Sequence, residues 1–323
     1  MKVWRSVVLS VAVVAMVATA TSVVFAMGSG YTPGSEGGMG SSLPPPGFHY
    51  KQYNILVNTD DLRDDDGNAA VVLGPDAKVN FSAKVFAQAH RFIYFTEKKI
   101  FGADYGMDLI VPIVAKDIEI KAIDLGINSD DSNIGLGDIF IEPLLLSWHK
   151  QRWDFAFGLG VQLPTGAWDY SNEAANGDPG SGGYGNGLLT LGATYYFDEA
   201  KSWTISALTR TVAYFGEQDD TNYQPGDEFI IDWGVAKQFS ASENLLVRPA
   251  IVGYTYWQIS DDQNRYDGVG TDDDRGQKYA VGAEINFFWL PRLIQFNLRW
   301  LEDIEVRDEY KGSTFVASIT CSF

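Results

Sequence analysis

From Phe48 to the last residue, the sequence is cut into segments of about ten residues or more in which apolar and polar side chains alternate with period two. That is the signal of β-strands with one greasy and one wet face. Twelve such segments stand out: 48–58, 84–96, 103–116, 136–148, 153–164, 187–197, 203–216, 229–240, 245–259, 278–289, 293–301 and 313–323. The pattern is sharpest late in the chain. Tyr279, Val281, Ala283, Ile285, Phe287 and Trp289 share one face, against Lys278, Gly282, Glu284 and Asn286 on the other. In the last segment Phe315, Ala317, Ile319, Cys321 and Phe323 oppose Thr314, Val316, Ser318, Thr320 and Ser322.

A soluble antiparallel sheet also alternates, so the connections must decide. Five are tight, at 97–102, 149–152, 198–202, 241–244 and 290–292. The six between them are longer and hold most of the 42 acidic residues, as in TDDLRDDDGN and SDDQNRYDGVGTDDDRGQ. Short periplasmic turns alternating with long outer loops are the mark of an outer-membrane barrel. An even strand number lets the sheet close and leaves no unpaired edge in hydrocarbon. The expected fold is therefore all-β, a transmembrane antiparallel up-and-down barrel of twelve strands. Past residue 26 no run is long and apolar enough for a membrane helix.

The first 26 residues carry Lys2 and Arg5, an apolar stretch from Val7, and small residues leading to Ala26. This is the layout of a secretory signal peptide cleaved after Ala26; an uncleaved anchor is the rival reading. Cleavage takes the net charge from −18 to −20 by removing two cations, and so acidic a chain repels nucleic acid. The sole cysteine, Cys321, excludes an internal disulfide. Residues 27–47 are mostly Gly, Ser and Pro with almost no apolar content and form a flexible or extended leader, placed either in the lumen as a partial plug or in the periplasm. The barrel domain is 48–323.

If the apolar parity faces lipid, eight charged residues point inward: Asp108, Asp138, Glu142, Arg210, Asp232, Arg248, Glu284 and Arg299. They either line a solute pathway, as charged rings do in pores, or form salt bridges that fill the barrel. Parity is unreadable in the first two segments, which leaves Lys84, His90 and Arg91 unassigned. A terminal alternating strand ending in an aromatic resembles the signal read by the barrel-assembly machinery, with Phe315, Ile319 and Phe323 as its residues. Outer-membrane lipid and lipopolysaccharide are the other expected partners.

Enzyme chemistry finds little support. Of His49, His90 and His149, none is read as having a serine two residues away on its strand face, and no Gly-x-Ser-x-Gly elbow occurs. With one cysteine and scattered histidines, no zinc site is expected. The acidic loops fail the calcium-loop spacing, because Leu62 before Gly67 and Arg265 before Gly268 occupy positions that need ligands. No cofactor or metal is expected.

Four motifs carry a resemblance that spans nearly the whole mature chain: Pro44-Pro45-Pro46-Gly47; Ile100 to Gly106 (IFGADYG) with Val111-Pro112; Gly135-Leu136-Gly137-Asp138 with Pro143; and Leu163-Pro164-Thr165-Gly166. In their order and spacing the chain resembles the exported barrels named after the meta pathway of phenol degradation. The resemblance implies passive passage of small hydrophobic or aromatic molecules across the outer membrane of a Gram-negative bacterium. The alternatives are a structural or adhesive barrel without transport, and an outer-membrane lipid hydrolase.

Overall fold

A computed structural model describes residues 30–69, 80–122, 127–169, 176–219, 222–264 and 275–323. The signal peptide and the loop around Gly268 lie outside the described residues. The strands are β1 (Gly47–Leu62), β2 (Asn80–Ile100), β3 (Ala103–Ala122), β4 (Ile127–Leu136), β5 (Ile139–His149), β6 (Trp153–Leu163), β7 (Gly185–Tyr196), β8 (Trp203–Phe215), β9 (Tyr223–Gln224), β10 (Glu228–Lys237), β11 (Phe239–Ser242), β12 (Leu245–Gln258), β13 (Gln263–Asn264), β14 (Gln277–Trp289), β15 (Ile294–Arg307) and β16 (Tyr310–Ser322). The two-residue strands β9 and β13 pair with each other in the loops. β4 and β5 run as one stave along β3, interrupted at Gly137-Asp138. β10 and β11 likewise share β12 as a neighbour.

Twelve staves result, each antiparallel to the next, and the ring closes where β1 pairs with β16 from His49↔Ser322 to Leu62↔Tyr310. The last residue completes the seam. The Phe323 N–H donates to the Phe48 carbonyl at 3.0 Å and the two rings lie 5.8 Å apart. Closure satisfies every stave on both sides, which hydrocarbon demands of any backbone it surrounds.

Side-chain exposure follows the alternation. On β8, Trp203, Ile205 and Phe215 are exposed while Thr204, Ser206, Leu208, Arg210 and Val212 are buried. The outward row of Leu189, Leu191, Ile251, Phe296, Leu298, Trp300 and Phe315 forms the apolar belt. Two expected loops are corrected. Residues 117–135 and 302–312 are mostly strand, because β3 reaches Ala122, β4 starts at Ile127, β15 reaches Arg307 and β16 starts at Tyr310. The alternation does not stop there. On β3 the inner face continues through Val114, Lys116, Ile118 and Ile120 while the outer face turns from Leu109 and Ile113 to Asp117 and Glu119. The change of outer face marks the upper limit of the apolar belt, and the hairpin projects beyond it.

The first two strands invert part of this scheme, which explains their unreadable parity. Tyr53, Ile55, Val85, Ala87 and Ala89 point inward. Gln52, Asn54, Gln88 and His90 point outward and bond one another or their neighbours: Gln88 Nε2 donates to Asn54 Oδ1 at 3.2 Å, and His90 Nδ1 lies 2.7 Å from the Tyr50 hydroxyl. Arg91, unassigned from sequence, is inside.

Candidate functional site: the lumen and its leader

Residues 30–46 occupy the barrel lumen, one of the two places open to the leader. Glycine allows the chain to fit. Gly37 has φ +62° and forms a single turn with Gly38 and Met39; a Cβ there would come within 2.1–2.3 Å of the Glu284 and Arg299 side chains. Only a glycine both adopts that backbone and lies so close to the wall.

Glu36, the one acidic residue between positions 27 and 47, fixes the leader to a ring of wall cations. It accepts from Arg91 Nη1 at 2.7 Å, Tyr53 Oη at 2.9 Å and Lys51 Nζ at 3.1 Å, with Arg210 Nη2 at 3.7 Å. Burial pushes its carboxyl up, but Lys51, Arg91 and Arg210 together outweigh this and hold it below the usual carboxylate range. A second anchor surrounds Gly34. Its N–H donates to Asp232 Oδ1 at 2.9 Å, its carbonyl accepts from Arg299 Nη1 at 2.5 Å, and the Tyr31 hydroxyl donates to Asp232. The Arg210 guanidinium lies over the Tyr31 ring, 4.0 Å from its centroid. A third set holds the periplasmic part. Ser206 Oγ and Arg248 Nη2 donate to the Gly38 carbonyl at 2.9 and 3.3 Å, and Ser41 Oγ donates to the Ala207 carbonyl at 2.6 Å.

All eight inward-pointing residues read from the sequence are buried, at 5% exposure or less. Seven of them join this lumenal network. Arg91 pairs with Asp108 and, at 2.9 Å, with Glu142; Arg299 Nε donates to Glu284 Oε2 at 2.7 Å. Asp138 is placed apart. It accepts from Gly166 N at 2.8 Å, Ser181 N at 3.0 Å and Gln162 at 3.1 Å, tying the segments around Gly166 and Ser181 to β6. Two of the sequence motifs thus meet, GLGD and LPTG. Of the eight, Asp138, Glu142 and Arg210 line cavities, whereas Asp108, Asp232, Arg248, Glu284 and Arg299 line none of the three described below. Glu36, Tyr31, Lys51 and Arg91 were missed in the sequence. A lone carboxylate in a Gly/Ser/Pro leader was the available signal.

Among the described residues, three cavities border the leader. The largest, about 310 Å³, opens toward the periplasmic turns between Leu43, Leu145, Leu293 and Thr320. The middle one, about 130 Å³, has a continuous apolar wall from the first three strands, with Ile55, Val57, Val85, Ala87, Pro112 and Val114. The outermost, about 80 Å³, lies between Gly30–Pro33 and a wall rich in tyrosine and carboxylate.

One sequence-based reading is corrected. Ser147 lies two residues before His149 on the same inner strand face, and its Oγ is 3.0 Å from His149 Nε2, with His149 Nδ1 3.2 Å from Asp154 Oδ1. The β5 bulge lies upstream, between Ile141 and Leu144, so the spacing of Ser147 and His149 on one strand face was readable in the sequence. Ser147 is 1% exposed and lines none of the three cavities. Among the described residues no group of three or more His, Cys, Asp or Glu side chains is arranged to hold a metal.

A closed twelve-stave ring with an apolar outer belt and a polar, partly hollow interior defines an outer-membrane β-barrel. The profile of the family described as MetA-pathway of phenol degradation matches residues 59–319, and the chain belongs to that family. Among solved structures, an outer membrane channel from Pseudomonas putida F1 is similar at TM-score 0.66 and 14% identity, covering 91% of this chain and 100% of that one. The β-domain of the Bordetella autotransporter BrkA is similar at TM-score 0.53 and 8% identity, covering 86% and 100%. At such identities the likeness is one of fold. No curated protein matches the sequence.

Proposed function

We propose that this protein is a passive channel of a Gram-negative outer membrane that admits small hydrophobic or aromatic molecules, with the leader as an internal plug that shifts to let them pass. The observation that carries the proposal is the apolar inner wall of the first three strands. A barrel that only stiffened itself with ion pairs, or conducted hydrophilic solutes, gains nothing from Ile55, Val57, Val85, Ala87, Pro112 and Val114 facing a cavity instead of lipid. The P. putida relative is named as a channel, which agrees with this use of the fold. Uptake of a labelled aromatic hydrocarbon by cells bearing an intact lipopolysaccharide leaflet is the direct test: expression of the chain speeds it, and rates equal to those of cells lacking the chain refute the proposal.

The same proposal includes export through a signal peptide cleaved after Ala26 and insertion by the barrel-assembly machinery. N-terminal sequencing of the mature chain, expected to begin at Met27, tests the first. Phe323 is 79% exposed at the seam and Phe315 43%, so a docking protein reaches both; Phe323→Ser lowers the heat-modifiable form in the outer-membrane fraction if they are read. No catalytic step is assigned. Ser147 is buried and lines none of the three cavities described, and the trio with His149 and Asp154 is read as a latch near the periplasmic turns. Release of fatty acid from added phospholipid that is lost in Ser147→Ala would overturn this.

A further inference from the structure

The outermost cavity differs from the ion-paired parts of the lumen in how its charges are matched. Around the plug, Glu36, Asp108, Glu142 and Glu284 each lie within 4.0 Å of a guanidinium or ammonium. In the outer chamber Glu228, Asp303 and Glu309 face one cation, Lys278, which pairs with Glu309 at 2.6 Å. Asp303 accepts from the Tyr254 hydroxyl and, at 2.9 Å, from Gly312 N. Glu228 is 6% exposed and accepts from Tyr214 at 3.0 Å and Tyr256 at 3.4 Å, both at Oε1. No described residue bonds its Oε2, although the side chain lines the cavity. A buried carboxylate with a free oxygen and only a lysine shared with two other carboxylates for counter-charge is costly.

The tyrosines sharpen the chemistry. Tyr214, Tyr254 and Tyr256 spend their hydroxyl hydrogens on these carboxylates, so the tyrosines offer the chamber acceptor oxygens and aromatic carbon, beside the Lys278 ammonium and the hydroxyls of Thr32, Thr59, Ser313 and Thr314. An anion meets two uncompensated negative charges, and a neutral hydrocarbon leaves them uncompensated. A cation bearing apolar substituents satisfies both features, through ion pairing and through attraction to the aromatic rings. At about 80 Å³ the chamber suits a head group, not a drug-sized ligand, whose pockets run to roughly 300–1,000 Å³. The apolar cavity shares Gly30, Tyr31, Thr32 and Val57 with it and so lies next to it.

We infer that the chamber bounded by Glu228, Asp303, Tyr214, Tyr254 and Tyr256 is a binding site for an organic ammonium ion, an alkyl- or arylamine whose charged head sits among these residues and whose apolar part extends into the cavity of the first three strands. The inference rests on the transport reading and narrows its substrate class from hydrophobic molecules at large to cationic ones.

The test uses the purified full-length barrel in detergent and titration calorimetry with 2-phenylethylammonium, toluene and phenylacetate, three probes that share a ring and differ in charge. Saturable binding of the ammonium, at least tenfold tighter than of either other probe, is expected. Glu228→Gln, which keeps the tyrosine bonds and removes the charge, is expected to weaken it at least tenfold, and Glu228→Gln with Asp303→Asn to abolish the preference. Heat-modifiable migration verifies that each variant is folded. Equal binding of the three probes, no binding of the ammonium, or an unchanged preference in the folded double variant overturns the inference. Should the aromatic hydrocarbon still cross in cells, the transport reading survives that failure; should nothing cross, it falls separately.

Discussion

Replacing Glu36 with Gln tests whether the leader is held by charge. In the seated state Lys51 and Arg210 have no carboxylate but Glu36 within 4.0 Å among the described residues, while Arg91 keeps Asp108 and Glu142. Glu36→Gln therefore leaves the buried Arg210 and the partly buried Lys51 without a counter-charge for as long as the leader stays in place. Once it leaves, water enters the lumen and solvates them. The cost falls on the seated state alone. Removing one partner of a buried ion pair costs about 3–5 kcal/mol, and glutamine retains an acceptor for Tyr53 and Arg91, so about 3 kcal/mol is a fair expectation. At about 1.4 kcal/mol per factor of ten, the ratio of displaced to seated leader rises on the order of a hundredfold.

Two measurements read that shift. Single-channel recording on the reconstituted barrel should show more frequent and longer open events in Glu36→Gln than in wild type. Protease added from the periplasmic side of opened vesicles should cut the leader faster by a similar factor. Glu36→Asp, which keeps the charge one methylene short of the ring, should fall between the two. A folded Glu36→Gln barrel whose conductance and leader protection match wild type would refute the claim that this carboxylate holds the plug.

Two further outcomes follow from the same geometry. Arg210 lines two cavities and Arg299 none, so Arg210→Gln should change the ion selectivity of the open state, whereas Arg299→Gln should lower the heat-modification midpoint with selectivity intact; reversal potentials and gel migration separate them. The depressed Glu36 carboxyl sets the acid response: a group whose pKa falls on seating stabilises the seat above its unseated pKa and loses that effect only as pH drops through the seated value. Leader protection should therefore be the same at pH 7 and pH 5, and release at pH 5 would contradict the assigned ring of cations.

The staves were legible because a lipid-facing row and a water-facing row impose period two wherever the two differ in polarity. Where the rows are alike, the code fails. Ile55 and Val57 inside β1 with Leu56 outside leave no contrast, and the outward Gln52, Asn54, Gln88 and His90 reverse it, so Arg91 could not be placed. Loop boundaries failed for a related reason. Above the belt the outer face of β3 turns polar, and the acidic Asp117 and Glu119 read as loop although Ile118 and Ile120 continue the strand. The leader's place in the lumen was beyond local pattern altogether, because it depends on a contact 55 residues away, between Glu36 and Arg91.

That contact also shows why the inward charges are more than filler. The central ring supplied by the wall holds three cations, Lys51, Arg91 and Arg210, against two carboxylates, Asp108 and Glu142. The wall is one negative charge short until the leader brings Glu36, so its own sequence completes it. In the outer chamber the imbalance has the opposite sign, with three carboxylates and a single lysine, and no side chain of residues 30–46 carries a cation to match them. A barrel evolved only for rigidity would gain by pairing both regions internally, since an uncompensated buried charge destabilises the fold. That the inner ring is neutralised by the chain and the outer one is not argues that the outer charges are matched by something arriving from outside.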